Sequence, residues 1–274
     1  MCLYLLFKEK SYSMKEVKSK RSTVERRKKI LNLLDENGQV FVHELSEEFG
    51  VSEVTIRNDL ELFETKGLLI RSRGGAMINE NSVGMDFQLS EKDKMHYTEK
   101  VRIGKKAAEL VNSGETIILD SGTTTMEIAK NLGSNKSLNV ISNALNIANE
   151  LLKYPNINII VPGGTLRKNS HSLVGPLAEK SMRNFYVDKV FLGVDGFDIK
   201  EGAFTPNIEE ASLNQVMIEI TKEVILVSDS SKFRRRSLAF ICPTRKIDIV
   251  ITDDKISKED LVWLKDQNIQ VIVA

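Results

Sequence analysis

Between Val42 and Phe63 two stretches of helical periodicity meet at Gly50-Val51, with no room for a strand or a long loop between them. Val42, Leu45 and Phe49 recur on one face of a short helix, which Gly50-Val51 ends as a tight turn. Ser52 then offers an N-cap with Glu53 in the first turn, and Val54, Ile56, Leu60 and Phe63 mark the buried face of a longer helix stopped near Lys66-Gly67. Ahead of both, a helix from Val24 carries Ile30, Leu31, Leu33 and Leu34 and stops at Asn37-Gly38. Helix, short helix, turn, helix is the helix-turn-helix arrangement.

With Val54, Ile56 and Leu60 turned inward, Ser52, Glu53, Thr55, Arg57 and Asn58 are expected on the outer flanks of the helix's first half. There a recognition helix meets the base edges and phosphates of a double-stranded DNA operator. Leu68-Leu69-Ile70 and Ala76-Met77-Ile78 predict two strands around Arg71-Ser72-Arg73-Gly74-Gly75, a hairpin wing from which Arg71 and Arg73 reach the backbone or the minor groove. A helical cap of this size can also be a docking module with solvated arginines, but the wing and the tight turn favour nucleic acid. Charge points the same way. The formal balance is only +1, yet lysines and arginines crowd residues 8–29 against Glu9, Glu16 and Glu25 alone.

The 274 residues, 41% of them hydrophobic, suit two domains better than one. Cys2 and Cys242 form neither a disulfide framework nor a zinc pattern, which fits a reducing cytoplasm. Leu3 to Phe7 is too short for a signal-peptide core, and no apolar run is long enough to span a membrane. His43, His96 and His171 are not grouped at metal-ligand spacing, so no metal and no cofactor is expected. Residues 1–20 read as a disordered or non-native extension with Met14 as a candidate start, 21–78 as the DNA-binding domain, 79–97 as a polar linker and 98–274 as a second domain.

In that second domain apolar strands alternate with helices, and each strand closes on small or polar residues. Thr116–Leu119 runs into Asp120-Ser121-Gly122-Thr123-Thr124-Thr125, Asn139–Ile141 into Ser142-Asn143, and Ile157–Val161 into Pro162-Gly163-Gly164. Lys189–Val194 precedes Asp195-Gly196, and Glu223–Val227 precedes a loop ending in Lys232. Ile247–Ile251 and Gln270–Val273 follow. This is the pattern of an α/β fold with a mainly parallel sheet covered on both faces, whose ligand lies beyond the carboxyl ends of the strands. Asp120 to Thr125 has the composition of a phosphate cradle: a glycine for close approach, then hydroxyls and amides at a helix start. An ordinary capped turn has the same composition, and Lys232 tilts the reading towards an anion. Neither GxxxxGK[ST] nor GxGxxG is present.

The run from Ser52 to Leu60, with Arg27 upstream and Arg71-Ser72-Arg73-Gly74-Gly75-Ala76 downstream, closely resembles the DeoR family of bacterial transcription regulators. The likeness continues from about Val24 through almost the whole chain. It implies a winged helix-turn-helix followed by a sugar-phosphate sensor domain similar to the ribose-5-phosphate isomerase fold. On that likeness Gly122 to Thr125 hold the phosphate, Ser142, Asn143, Gly163, Gly164 and Lys232 lie nearby, and Asp195 and Glu210 face the sugar hydroxyls. The isomerase's glycine-rich run led by a catalytic lysine is matched only loosely by Lys200-Glu201-Gly202-Ala203, with Glu201 in the lysine's place. The expectation is therefore a repressor of sugar-metabolism genes without catalytic residues, working as a dimer or tetramer on DNA and controlled by a phosphorylated sugar. The competing class is a phosphosugar isomerase or transferase with a DNA-binding appendage.

Overall fold

The computed structural model describes residues 23, 25–34, 37–65, 69–77, 86–133 and 136–274. The chain divides into two compact units, Met1–Asn81 and Ser82–Ala274.

The first unit contains α1 (residues 25–34), β1 (Gln39–Phe41), α2 (Val42–Phe49), α3 (Glu53–Thr65), β2 (Ile70–Ser72) and β3 (Gly75–Met77). Ile30, Leu34, Val42, Leu45, Ile56, Leu60 and Phe63 form its interior, as their spacing requires. Gly50 ends α2 in the left-handed conformation, φ 60°, and its N–H closes onto the carbonyls of Glu47 and Ser46. The strands pair antiparallel in the order β1-β3-β2.

Three details differ from expectation. Val54 is 61% exposed. It lies two residues from Ile56, about 200° around the helix, so the two cannot share a face. The inward position belongs to Asp59, a charged residue that a hydrophobic count passes over. The wing strands also run further into the expected loop, β2 through Ser72 and β3 from Gly75, so that Arg71, Ser72 and Gly75 are paired in them and Arg73-Gly74 makes the turn, with Gly74 at φ 83°. Finally, β1 adds a third strand too short to show alternation, and it packs so closely that a Cβ on Gly75 would lie 2.1 Å from the Val40 carbonyl oxygen. The helix stop at Lys66-Gly67, Leu68, Ile78 and residues 1–20 lie outside the described residues.

The second unit begins with α4 (Leu89–Lys92), α5 (Tyr97–Glu109), β4 (Thr116–Leu119), α6 (Thr123–Asn131), β5 (Leu138–Ile141), α7 (Leu145–Leu151) and β6 (Ile157–Ile160). A hairpin, β7 (Thr165–Arg167) and β8 (Ser172–Val174), leads to α8 (Pro176–Met182) and β9 (Val187–Gly193). There follow β10 (Gly196–Asp198), β11 (Gly202–Thr205), α9 (Ile208–Glu219), β12 (Thr221–Val227) and β13 (Ala239–Cys242). β14 (Ile249–Thr252), α10 (Lys258–Asp266) and β15 (Gln270–Val273) complete it.

Seven strands form one sheet, all neighbours parallel, in the order β15-β14-β12-β9-β4-β5-β6. Alternate residues feed the two faces: Ile117 and Leu119 join Ile103 and Ile128 on one side, while Ile118 joins Val190 and Met217 on the other. A separate antiparallel sheet has the order β10-β11-β13. α9 carries no amphipathic signal because it is buried nearly all round, from Glu210 and Ala211 through Ile218. The expected linker, 79–97, is folded from Asp86 onward into the second unit: Asp86 accepts from Asn169 at 3.0 Å, and the Leu89 N–H donates to the Asn169 carbonyl at 2.7 Å.

Candidate functional site

In the first unit, α3 opens on an N-cap in which the Thr55 N–H donates to Ser52 Oγ at 3.3 Å, and the two hydroxyls lie 2.9 Å apart. The exposed stripe in the first half of the helix is Val54, Arg57, Asn58 and Glu61, spaced i, i+3, i+4, i+7, with Glu53 and Thr55 on its flank. Arg57 extends along this stripe, its Nη2 2.5 Å from Glu53 Oε2. Arg71 turns back onto the helix, donating from Nη1 to the Arg57 carbonyl at 3.2 Å, whereas Arg73 stands exposed at the wing tip. Arg57, Asn58 and Arg73 are thus presented to solvent, and Arg71 serves as a strut. Beneath them Asp59 is clamped by Arg26 at 2.7 Å and Arg27 at 2.6 Å, fixing the helix's rotation against α1.

In the second unit a polar cleft opens over the carboxyl ends of β4, β9 and β12. From β4 come Asp120 and the turn Ser121-Gly122-Thr123-Thr124, from β9 Gly193 and Asp195, and from the segment after β12 Ser228, Asp229 and Lys232. This is where strand order reverses: the chain proceeds from β4 to β5 and β6 on one side, then returns to β9 on the other. No side chain caps the first amides of α6, so they remain as donors facing the cleft, where the helix dipole also favours an anion.

Five expected residues stand elsewhere. Thr125 is fully buried and donates to the Gly122 carbonyl at 3.0 Å. Ser142 accepts from the Ala144 N–H at 3.2 Å, and Asn143 pins β8 through the Leu173 N–H, which donates to its carbonyl at 2.8 Å. Gly163 and Gly164 hold positive φ ahead of the hairpin, and a Cβ on Gly164 would meet the Val174 carbonyl oxygen at 2.7 Å. The reason is sheet order: β5 and β6 lie one and two strands beyond β4, and their ends are occupied by the β7–β8 hairpin rather than by the cleft.

Other lining residues come from segments without a sequence motif, above all Lys92, His96 and Lys100. Lys100 was legible in principle, since it shares the buried stripe of α5 with Ile103, Gly104, Ala107 and Ala108. A lysine at a core position is costly to desolvate, and burial pulls its pKa down to about 8. Lys92 Nζ lies 2.6 Å from Asp195 Oδ1. Burial alone would raise the pKa of Asp195, but Lys92, Lys232 and Lys100 outweigh it and hold the group below its ordinary value.

Asp120, just ahead of the α6 turn, is pushed up to about 7, chiefly by burial and then by the neighbouring Glu210. Glu210 itself is engaged by the protein: Oε1 accepts from Arg167 Nη1 and Ser172 Oγ, both at 3.0 Å, and Oε2 from Thr205 Oγ1 at 3.4 Å. The cleft therefore holds both signs close together, Lys92, Lys100, Lys232 and the α6 amides beside the carboxyl groups of Asp120, Asp195, Asp229 and Glu210.

A winged helix-turn-helix followed by a doubly covered parallel sheet defines a DNA-binding transcription regulator. Residues 26–82 match the family description "DeoR-like helix-turn-helix domain" and residues 95–254 match "DeoR C terminal sensor domain". The chain is 40% identical over 253 residues to the "Putative aga operon transcriptional repressor" of Escherichia coli O157:H7, covering 92% of this chain and 94% of that one. It is 31% identical over 242 residues to the glycerol-3-phosphate regulon repressor of Escherichia coli K12, covering 88% and 95%. Among solved structures it is similar to the "Probable sor Operon Regulator" of Shigella flexneri, with TM-score 0.39, 12% identity and coverage of 75% and 97%. The ribose 5-phosphate isomerase of Methanocaldococcus jannaschii aligns with TM-score 0.37, 17% identity and coverage of 49% and 53%. The chain belongs to the DeoR family and is a DNA-binding transcriptional repressor of that family.

Proposed function

We propose that this repressor controls genes of sugar use and that a phosphorylated sugar bound in the cleft alters its affinity for the operator. The observation that carries the reading is that the α6 amides, Lys100 and Lys232 line one cleft together with the carboxyl groups of Asp120, Asp195 and Glu210. Such a site suits a molecule with a phosphate at one end and hydroxyls at the other. The printed names of the relatives, an aga operon repressor and a glycerol-3-phosphate regulon repressor, support it. Control follows from linkage: a ligand that prefers the DNA-incompetent arrangement weakens DNA binding by the factor by which DNA weakens ligand binding.

The reading includes no catalytic step. Glu201 stands on the β10–β11 turn with its side chain 58% exposed, outside the cleft lining, so the nearest counterpart of the isomerase lysine does not reach the site. The reading also includes a dimer or tetramer, because one short recognition helix reads few base pairs and such modules pair on palindromes. Sedimentation as a monomer at micromolar concentration with DNA present would remove that part. The main test is calorimetric titration of a sugar in its phosphorylated and unphosphorylated forms, with tighter binding of the phosphorylated form expected; equal affinity would refute the phosphate site.

A further inference from the structure

Residues 86–96 border the cleft as a strap, gripped by polar groups near its start and again at Lys92. At its start, Asp86 pairs with Arg167 and accepts from Asn169 at 3.0 Å, while the Leu89 N–H reaches the Asn169 carbonyl at 2.7 Å. Towards its far end, Lys92 is gripped through its ammonium and its carbonyl. Its ammonium meets Asp195 at 2.6 Å, and its carbonyl accepts from Lys100 Nζ at 2.5 Å. Phe87, Leu89, Lys92, Met95 and His96 all line the cleft. Asp86 follows by only a few residues the boundary at Asn81 and Ser82, so the strap is continuous in the chain with the segment leading to the reading head.

The two grips differ in kind. Arg167, which holds Asp86, also binds Glu210, and neither Arg167 nor Asp86 lines the cleft. Lys92 and Asp195 face the cleft itself, together with Lys100, Lys232 and the α6 amides. An entering dianion would compete with the Asp195 carboxylate for the same ammonium groups, and like charges in one partly desolvated cleft repel.

We propose that the Lys92–Asp195 ion pair is a latch, and that an anion bound at the α6 amides draws Lys92 away from Asp195 and frees the far end of the strap. Lys92 is then both a ligand-binding residue and the residue that reports occupancy to the strap. The proposal rests on the anion site of the proposed function and adds to it the element that moves. Asp195 becomes the protein's own placeholder for the ligand's negative charge.

The test is backbone amide hydrogen exchange of the full chain, read over residues 87–95, with inorganic phosphate as the probe and calorimetry under the same conditions. Saturating phosphate should speed exchange there about tenfold, leaving β4 and β9 unchanged as a control for the fold. Lys92→Met should show the faster exchange without phosphate and no further change on adding it, while Lys92→Arg should keep slow exchange. If phosphate gives binding heat but exchange over 87–95 does not change, the latch is overturned and the anion site stands. If Lys92→Met exchanges as slowly as the wild type, the latch is likewise overturned. If neither phosphate nor glucose 6-phosphate gives any heat with the wild type, the anion site fails and the latch with it.

Discussion

Arg26 on α1 and Asp59 on α3 face each other in the interior of the reading head, Nε to Oδ2 at 2.7 Å, with both side chains under a tenth exposed. Arg27 holds the other carboxylate oxygen at 2.6 Å. Removing the carboxylate would leave a buried guanidinium without its partner, which costs about 3–5 kcal/mol. Asp59→Ala should therefore unfold the reading head at much lower urea while the second unit's transition stays in place. A loss under about 1 kcal/mol in a denaturation series would show that the clamp does not hold α3.

Arg57 lies on the exposed stripe of α3 and is tied to Glu53 at 2.5 Å. Arg57→Ala should weaken operator binding by about 1–3 kcal/mol, the range of a bidentate base contact. Glu53→Gln should do the reverse, since it releases the guanidinium and removes a negative charge from the DNA side. Fluorescence anisotropy titrations measure both, and unchanged affinity for Arg57→Ala would take that side chain out of the interface.

Arg73 and Arg71 should separate in salt dependence. Arg73 is exposed at the wing tip, while Arg71 is spent on the Arg57 carbonyl. If Arg73 meets one phosphate, Arg73→Gln should reduce the slope of log affinity against log salt by about 0.9. Arg71→Gln should instead lower the stability of the reading head and leave the slope nearly as it is. Equal slopes for wild type and Arg73→Gln would place the wing away from the backbone.

Thr123 and Lys232 line the cleft from different strands' ends. Thr123→Val and Lys232→Ala should each abolish the effect of a phosphorylated sugar on operator affinity while leaving affinity without the sugar within about 0.5 kcal/mol, the ordinary range for positions away from an interface. Loss of basal DNA binding in both variants would mean that these side chains serve folding rather than sensing.

Asp120 gives the second unit a distinctive pH response. Its pKa is raised from an ordinary 3.8 to about 7, so its contribution to stability is complete below about pH 4 and is lost as the pH rises through 7. That displacement corresponds to about 4 kcal/mol between the two limits. Lys100 acts in the opposite direction at higher pH: lowered from 10.5 to about 8, its contribution is present above 10.5 and is lost as the pH falls through 8. Asp120→Asn should remove the decline between pH 4 and 7 in chemical denaturation, the comparison with wild type cancelling the other carboxylates. Parallel profiles for the two proteins would place the proton elsewhere.

Strands such as β4 and β14 were readable because burial on both faces leaves an uninterrupted apolar run that Val and Ile satisfy. The reading helix was readable from Ile56, Leu60 and Phe63, but Val54 was not, because a valine looks apolar whether it faces a core or a solvent-exposed groove reader. The loop Ser121 to Thr124 announced itself by composition. Lys92 and Phe87 did not, since α4 is four residues long and carries no period, and its place depends on a hairpin about 80 residues later. Ser142 and Gly164 failed for the complementary reason. Their strands end as β4 does, but sheet order, which one sequence does not display, puts them under the hairpin.

The position of β4 between β5 and β9 also sets a timetable. During synthesis β4, β5 and β6 emerge in succession and can pair at once, whereas β9, the other neighbour of β4, appears about 70 residues later. A ribosome that has reached Ile160 has already delivered every described strand and helix of the reading head, but not yet Asp195, Glu210 or Lys232. For much of its translation each new molecule therefore carries the elements of the reading head without Asp195, Glu210 and Lys232, and the lining of the cleft is complete only when the last third of the polypeptide arrives.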